Sequence, residues 1–157
     1  MKIYFWSVGK ADEPHVKEGI KLFTKRISHY YPVEWKIFPP AKNAAGATED
    51  QIKKAEGIQL LGAIQPGDAL VALDENGIQW SSPELAAFIQ QKANSSIKNL
   101  IFVIGGAYGL HETLLNSCKN KWSLSKLVFP HQLVRLILSE QVYRACTIIR
   151  NEKYHHS

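Results

Sequence analysis

The side chains of this sequence that can do chemistry gather towards its C-terminus. The tail Arg150-Asn151-Glu152-Lys153-Tyr154-His155-His156-Ser157 combines cations, an aromatic ring and imidazoles. Such a set can contact phosphate, stack on a base and move a proton, or it can fray as chain ends commonly do. Upstream, His131, Arg135, Glu140 and Arg144 put ionisable groups on or beside a long apolar segment. Charges that become buried need partners, and Glu140 can pair with Arg135 or with Arg144, the latter at helical i,i+4 spacing. A glycine loop, Gly105-Gly106-Ala107-Tyr108-Gly109, follows an apolar run. It lacks both the G-x-G-x-x-G dinucleotide pattern and the G-K-[ST] ending of a phosphate-binding P-loop, so it is either a close backbone contact to a ligand or a tight turn. Asp74-Glu75-Asn76-Gly77 can place carboxylates beside a strand end as a base or a sugar partner, and is equally good turn chemistry. Cys118 and Cys146 have neither a C-x-x-C spacing nor a histidine cluster nearby, which argues for neither a disulfide framework nor a metal site.

The elements that must position these groups alternate along the chain. Ile3 to Val8 reads as a strand, followed by a helix capped by Asp12 with Pro14 in its first turn and Val16, Ile20, Phe23, Ile27 and Tyr30 on one face. Val33 to Phe38 is a second strand ending at Pro39-Pro40. In the loop from Ala41 to Ala47, Lys42 and Asn43 can touch a ligand or simply face solvent; Thr48 and Gln51 then have capping-box spacing for a helix to about Ala63. Ala69 to Leu73 is an apolar run of the parallel-strand type, and Ser81, Pro83 and Glu84 open a helix to about Ala93. Leu100 to Ile104 is a further buried strand, the next helix carries Leu114, Leu115 and Cys118, and Ser123 to Phe129 reads as a last short strand. Leu133 to Ile149 is a helix apolar nearly all round, which must be buried on several sides and is economically explained by a homodimer.

Five strands alternating with helices in 157 residues predict a single α/β domain with a mostly parallel sheet flanked by helices. Ligands of such sheets bind beyond the carboxyl ends of the strands, which points to Leu73, Gly105 and the segment after Trp122. No run approaches the ~20 apolar residues that span a bilayer, and MKIYFWSVGK lacks a leader's length and cleavage site, so a cytoplasmic protein is expected. Residues 1–80 carry ten basic and ten acidic side chains, whereas residues 81–157 carry nine and four, which places the whole excess of +5 in the second half. That asymmetry fits a polyanionic partner, or merely a soluble protein of high pI.

Several segments in fixed order carry a resemblance. They are Ile104-Gly105-Gly106, Trp122-Ser123-Leu124-Ser125, Pro130-His131-Gln132-Leu133-Val134-Arg135, Glu140-Gln141-Val142-Tyr143-Arg144-Ala145 and Tyr154-His155. Over essentially its whole length the chain resembles the RlmH family, small SPOUT-class methyltransferases that modify a pseudouridine of large-subunit 23S ribosomal RNA. The resemblance implies a C-terminal trefoil knot, a homodimer, S-adenosyl-L-methionine as cofactor, no metal, and methylation of pseudouridine N3 in helix 69 of the assembled ribosome. Leu73, Gly105 and Leu124, Ser125, Lys126, Leu127, Val128 and Phe129 match the family's cofactor-binding segments. Arg144, Tyr154 and His155 match the region bordering methyl transfer. Two positions depart from the usual pattern, Ala107-Tyr108 in the glycine loop and His156 where Lys or Arg often follows Tyr-His.

On this reading backbone groups near Gly105 and Leu124 to Phe129 hold the cofactor, Arg144 orients the target or stabilises its developing negative charge, and His155, Tyr154 or water takes the proton. Lys119, Lys121, Lys126 and Arg150 are the expected rRNA contacts. Two other classes compete: a non-catalytic RNA- or ribosome-binding module of the same fold, and a flavodoxin-like nucleotide-binding protein.

Overall fold

The computed structural model describes residues 1–42 and 45–156, so the expectation for Asn43 lies outside the described residues, while Lys42 is exposed. Ten elements follow in order: β1 (Lys2–Val8), α1 (Pro14–Ile27), β2 (Val33–Phe38), α2 (Glu49–Gly62), β3 (Asp68–Gln79), α3 (Ser82–Ala93), β4 (Asn99–Ile104), α4 (Glu112–Ser117), β5 (Asn120–Ser123) and α5 (His131–Ile149). The five strands form one sheet of order β2-β1-β4-β3-β5 in which every neighbouring pair is parallel.

Strand alternation divides the core into two layers. Ile3 and Phe5 of β1, Val71 of β3, and Leu100, Phe102 and Ile104 of β4 pack against Ile27 of α1, Leu85 and Ile89 of α3, and Leu138 and Val142 of α5. On the other face Trp6, Val8, Ala72, Ile101 and Val103 meet Leu60 of α2 and Leu114 of α4. β4 is covered on both faces, which is why its sequence is apolar without alternation. Phe5 and Phe102 are wholly buried in the first layer, each worth about 1.5–3 kcal/mol against an exposed ring. α5 lies between α1 and α3, so one chain already accounts for much of its apolar circumference.

The capping boxes of α2 and α3 form as expected: Thr48 and Gln51, and Ser81 and Glu84, each exchange side-chain and backbone hydrogen bonds. The start of α1 differs. Glu13 rather than Asp12 is its N-cap residue and makes no side-chain cap. Gln132 of α5 supplies the acceptor instead, its Oε1 receiving the Asp12 and Glu13 backbone N–H groups at 3.0 and 3.2 Å. α5 itself begins at His131, two residues before the expected Leu133.

Two strands also depart from expectation. β3 does not stop at Leu73 but continues to Gln79, because Ile78 and Gln79 pair with Trp122 and Ser123 of β5 after a bulge that absorbs residues 74–77. Gly77 permits this, since a β-carbon there would lie 2.6 Å from the Lys121 carbonyl carbon. β5 spans Asn120–Ser123, earlier than the expected Ser123 to Phe129. Its ladder with β3 ends at the Gln79–Ser123 pair, and residues 124–129 leave the sheet.

Among the described residues Arg135 takes neither Glu140 nor any other carboxylate as partner. Its Nε donates to Ser7 Oγ at 2.7 Å, and its Nη2 donates to the carbonyls of Val8 at 3.0 Å and Gly9 at 3.2 Å. Burial pushes its pKa down, opposed by the charge of Asp12. The guanidinium thus ties α5 to the end of β1. Both cysteines are buried free thiols, and burial pushes Cys146 up to about 12. No helix of the described residues is long and apolar enough to cross a membrane.

Candidate active site

At the carboxyl ends of β4 and β5, beside the bulge of β3, the chain leaves a cavity of about 580 Å³, a size typical of small-ligand sites. Its walls come from three chain segments. β3 and its bulge supply Leu73, Asp74, Glu75 and Asn76, the glycine loop supplies Gly105, Ala107, Tyr108 and Gly109, and residues 122–129 close the third side. His131 and Val134 from the start of α5 complete it. Leu73, Gly105, Leu124, Ser125, Lys126, Leu127, Val128 and Phe129 therefore surround one space, although strand composition alone had placed the last six inside the sheet.

The glycine loop has this shape for steric reasons. A β-carbon on Gly105 would come within 2.6 Å of the Gly109 carbonyl carbon, and Gly109 has φ of +86°, a conformation that side chains disfavour. Beneath it, a β-carbon on Gly106 would meet Glu56 Oε2 at 2.7 Å. Glu56 is buried and accepts from the Ala41 backbone N–H at 3.2 Å, so it supports both the glycine loop and the segment that opens the connection to α2. Sequence reasoning passed over this acid. The available signal was its position four residues from each of the buried Ile52 and Leu60, where a helix stripe would ordinarily be apolar.

Segment 124–129 is held by side chains. Ser123 Oγ donates to the Ser125 carbonyl at 3.0 Å, and Ser125 Oγ accepts from the Leu127 N–H at 3.0 Å. Among the described residues it forms no backbone-to-backbone hydrogen bond, so its peptide groups other than the Ser125 carbonyl and the Leu127 N–H are free of protein partners. Asp74 and Glu75 sit in the cavity wall rather than in an ordinary turn.

Arg144, Tyr154 and His155 lie elsewhere. Thirteen residues of α5 separate Arg144 from His131, about 20 Å of helix, and none of the three lines the cavity. They belong to a hydrogen-bonded cluster around Glu140. Its Oε1 accepts from Arg144 Nη2 at 2.7 Å, Arg144 Nε at 3.0 Å and the Tyr154 hydroxyl at 3.1 Å. Its Oε2 accepts from Gln141 Nε2 at 2.6 Å, and Gln141 is held in turn by the Ser82 hydroxyl at 2.7 Å. The guanidinium also lies over the Tyr154 ring, 4.8 Å from its centroid. Burial, together with the Glu140 charge, raises the Tyr154 pKa, so this hydroxyl stays a donor. His155 is half-buried, and among the described residues its Nδ1 has no hydrogen-bond partner. The i,i+4 pairing of Glu140 with Arg144 was legible from spacing, whereas Gln141 and Ser82 carried no signal.

The four basic residues expected to meet rRNA come from three different segments. Lys126 is in the cavity wall, Lys119 and Lys121 flank the start of β5, and Arg150 follows α5.

A parallel sheet with a glycine-loop cavity where such sheets ordinarily bind ligands, and a polar cluster at the far end of the last helix, defines the class of this chain as an α/β protein of the open-sheet type. The family described as predicted SPOUT methyltransferase matches residues 1–155, and the chain belongs to that family. It is 44% identical over 156 residues to the ribosomal RNA large subunit methyltransferase H of Cytophaga hutchinsonii, covering 99% of this chain and 100% of the relative. Proteins of the same name in Parabacteroides distasonis and Christiangramia forsetii are 43% and 44% identical, with 99% of each chain covered.

Proposed function

We propose that this chain is a single-domain, cytoplasmic S-adenosyl-L-methionine-dependent methyltransferase acting on N3 of a pseudouridine in 23S rRNA helix 69 of the assembled ribosome. The observation that carries the proposal is the convergence of Leu73, Gly105 and residues 124–129 on one cavity at the strand ends. The fit is chemical as well as steric. Free peptide groups along 124–129 suit an adenine edge and an amino-acid end, and the carboxylates of Asp74 and Glu75 suit a cation. The bound cofactor would supply a methyl group on a sulfonium, an electrophile that needs an aligned, deprotonated nitrogen more than it needs activation.

Arg144 is the residue that would stabilise the negative charge developing on the target base, and Glu140 fixes its guanidinium in place. His155 is the proton acceptor in this reading, supported by its unpartnered Nδ1. Tyr154 is held as a hydrogen-bond donor to Glu140. With the cofactor bound, the methyl group would pass from its sulfonium sulfur, left as a neutral thioether, to N3 of the pseudouridine, and His155 would take the N3 proton.

Because the cavity and Arg144 are separated along one α5, the site is completed by a second copy of the chain. Tyr108, Leu127 and Val128 of the cavity lining support this, since Val128 is 89% and Leu127 72% exposed. The family's C-terminal trefoil knot belongs to the same reading. Label transferred from methyl-labelled cofactor to unmethylated ribosomes, and not to ribosomes lacking the pseudouridine, is the expected result. No transfer to either by folded dimer would overturn it in favour of a non-catalytic ribosome-binding module.

A further inference from the structure

A second groove, of about 600 Å³, runs between α1 and the edge strand β2, on the side of the sheet away from β3 and β5. Its floor is apolar, formed by Ile20, Val33, Trp35 and Ile37. Its outer wall is a row of lysines: Lys17, Lys21 and Lys25 follow one another at four-residue intervals along α1, about 6 Å of rise per step. All three are exposed, and among the described residues none forms an ion pair. Arg135 reaches the same groove, and no carboxylate lines it. Glu34, the acid of β2, points to the opposite face by strand alternation and is paired with Lys2 at 2.6 Å.

Like charges at i,i+4 repel one another on a helix, and two such pairs stand here; Glu13 and Glu18 lie at i,i+4 and i,i+3 spacing from Lys17 and Lys21, but among the described residues they form no ion pair with them and do not line the groove. A solvated helix face ordinarily intersperses both signs. A row of unpaired cations beside a half-exposed apolar floor fits a polyanion whose charges repeat at a similar interval and whose body presents flat apolar faces. Ile37 at 45% exposure offers such a face. We infer that the α1–β2 groove is a docking surface for a phosphodiester strand of ribosomal RNA, distinct from the methyl-transfer cavity and from the basic residues of the second half of the chain. The inference rests on the rRNA substrate proposed above and adds where the substrate is gripped: phosphates against Lys17, Lys21 and Lys25, sugars and bases against Ile20, Val33 and Ile37. The lysines then hold a neighbouring RNA segment while the target reaches the cavity, since phosphate contacts fix register without reading sequence.

The test is binding of the full-length protein to unmethylated ribosomes across a salt series, comparing wild type with the triple variant Lys17→Gln, Lys21→Gln, Lys25→Gln. Glutamine keeps helix propensity and length, and an unchanged circular dichroism spectrum and melting temperature verify the fold. The expected result is a loss of affinity of about tenfold or more and a log–log salt slope shallower by about two, with cofactor affinity and turnover at saturating ribosomes unchanged. A triple Lys→Arg variant should bind as wild type. Unchanged affinity and slope would overturn the inference. Weakened binding with an unchanged slope would also overturn it, by pointing to a ribosomal protein as the occupant. If wild type binds ribosomes with the expected slope but transfers no methyl, the catalytic reading fails and the groove survives. Transfer by wild type with an indifferent triple variant gives the converse.

Discussion

The Glu140 cluster and the cavity at the strand ends are finished to different degrees. Around Glu140 both carboxylate oxygens are engaged, and the ring of Tyr154 is fixed between Tyr143 and Arg144. Around the cavity the loop 124–129 keeps free peptide groups and exposes Leu127 and Val128. Fixed dipoles act best where charge develops during a reaction, because they need no reorganisation. Open peptide groups belong where something must enter and leave.

The sharpest way to break this contrast is to fill the cavity's glycine loop. Gly105→Val should abolish cofactor binding by calorimetry, since its side chain would occupy the space of Gly109, while leaving the Glu140 cluster intact. Arg144→Ala should leave cofactor affinity unchanged and lower kcat by ~10²–10³ in single-turnover methyl transfer. Co-expression of these two variants sharpens the comparison: if one copy supplies the cavity and its partner Arg144, the mixed dimer regains one working site, whereas a site built within one chain regains none. Glu140→Gln should cost about tenfold in kcat, by removing the charge from bonds worth about 1–2 kcal/mol.

At the cavity rim, Leu127→Asp with Val128→Asp should change monomer stability by no more than about 0.5 kcal/mol, yet shift the sedimentation coefficient towards monomer. The last effect is on stability alone and lies at the cap of α3, one residue before the Ser82 that holds Gln141. Glu84 has its pKa lowered by the Ser81 backbone N–H and hydroxyl. Its contribution to stability is therefore present above the ordinary glutamate range and is lost as pH falls through the lowered value. Ser81→Ala should cost about 1 kcal/mol at neutral pH, with a smaller difference from wild type in acid denaturation melts.

What sequence could and could not convey follows from the range of the forces involved. The capping boxes at Thr48 and Ser81 were legible because donor and acceptor lie three residues apart. The parallel sheet was legible from buried apolar runs such as Leu100 to Ile104. The end of β5 was not, because Leu124 to Phe129 has strand composition and only the bulge in β3 decides that its partner is used up. Gln132 capping α1 from 119 residues away was equally hidden. For the site, the strand-end rule found Leu73, Gly105 and the 124–129 segment. It gave no hint that Arg144 lies about 20 Å along α5 from the His131 end that borders the cavity.

The buried thiols bear on how the protein ages. Burial holds Cys146 and Cys118 in their unreactive protonated form, and the sequence holds a single methionine, at position 1. Oxidants that inactivate thiolate enzymes find little to attack in this chain, so methyl transfer would continue through a peroxide pulse with its kinetics unaltered.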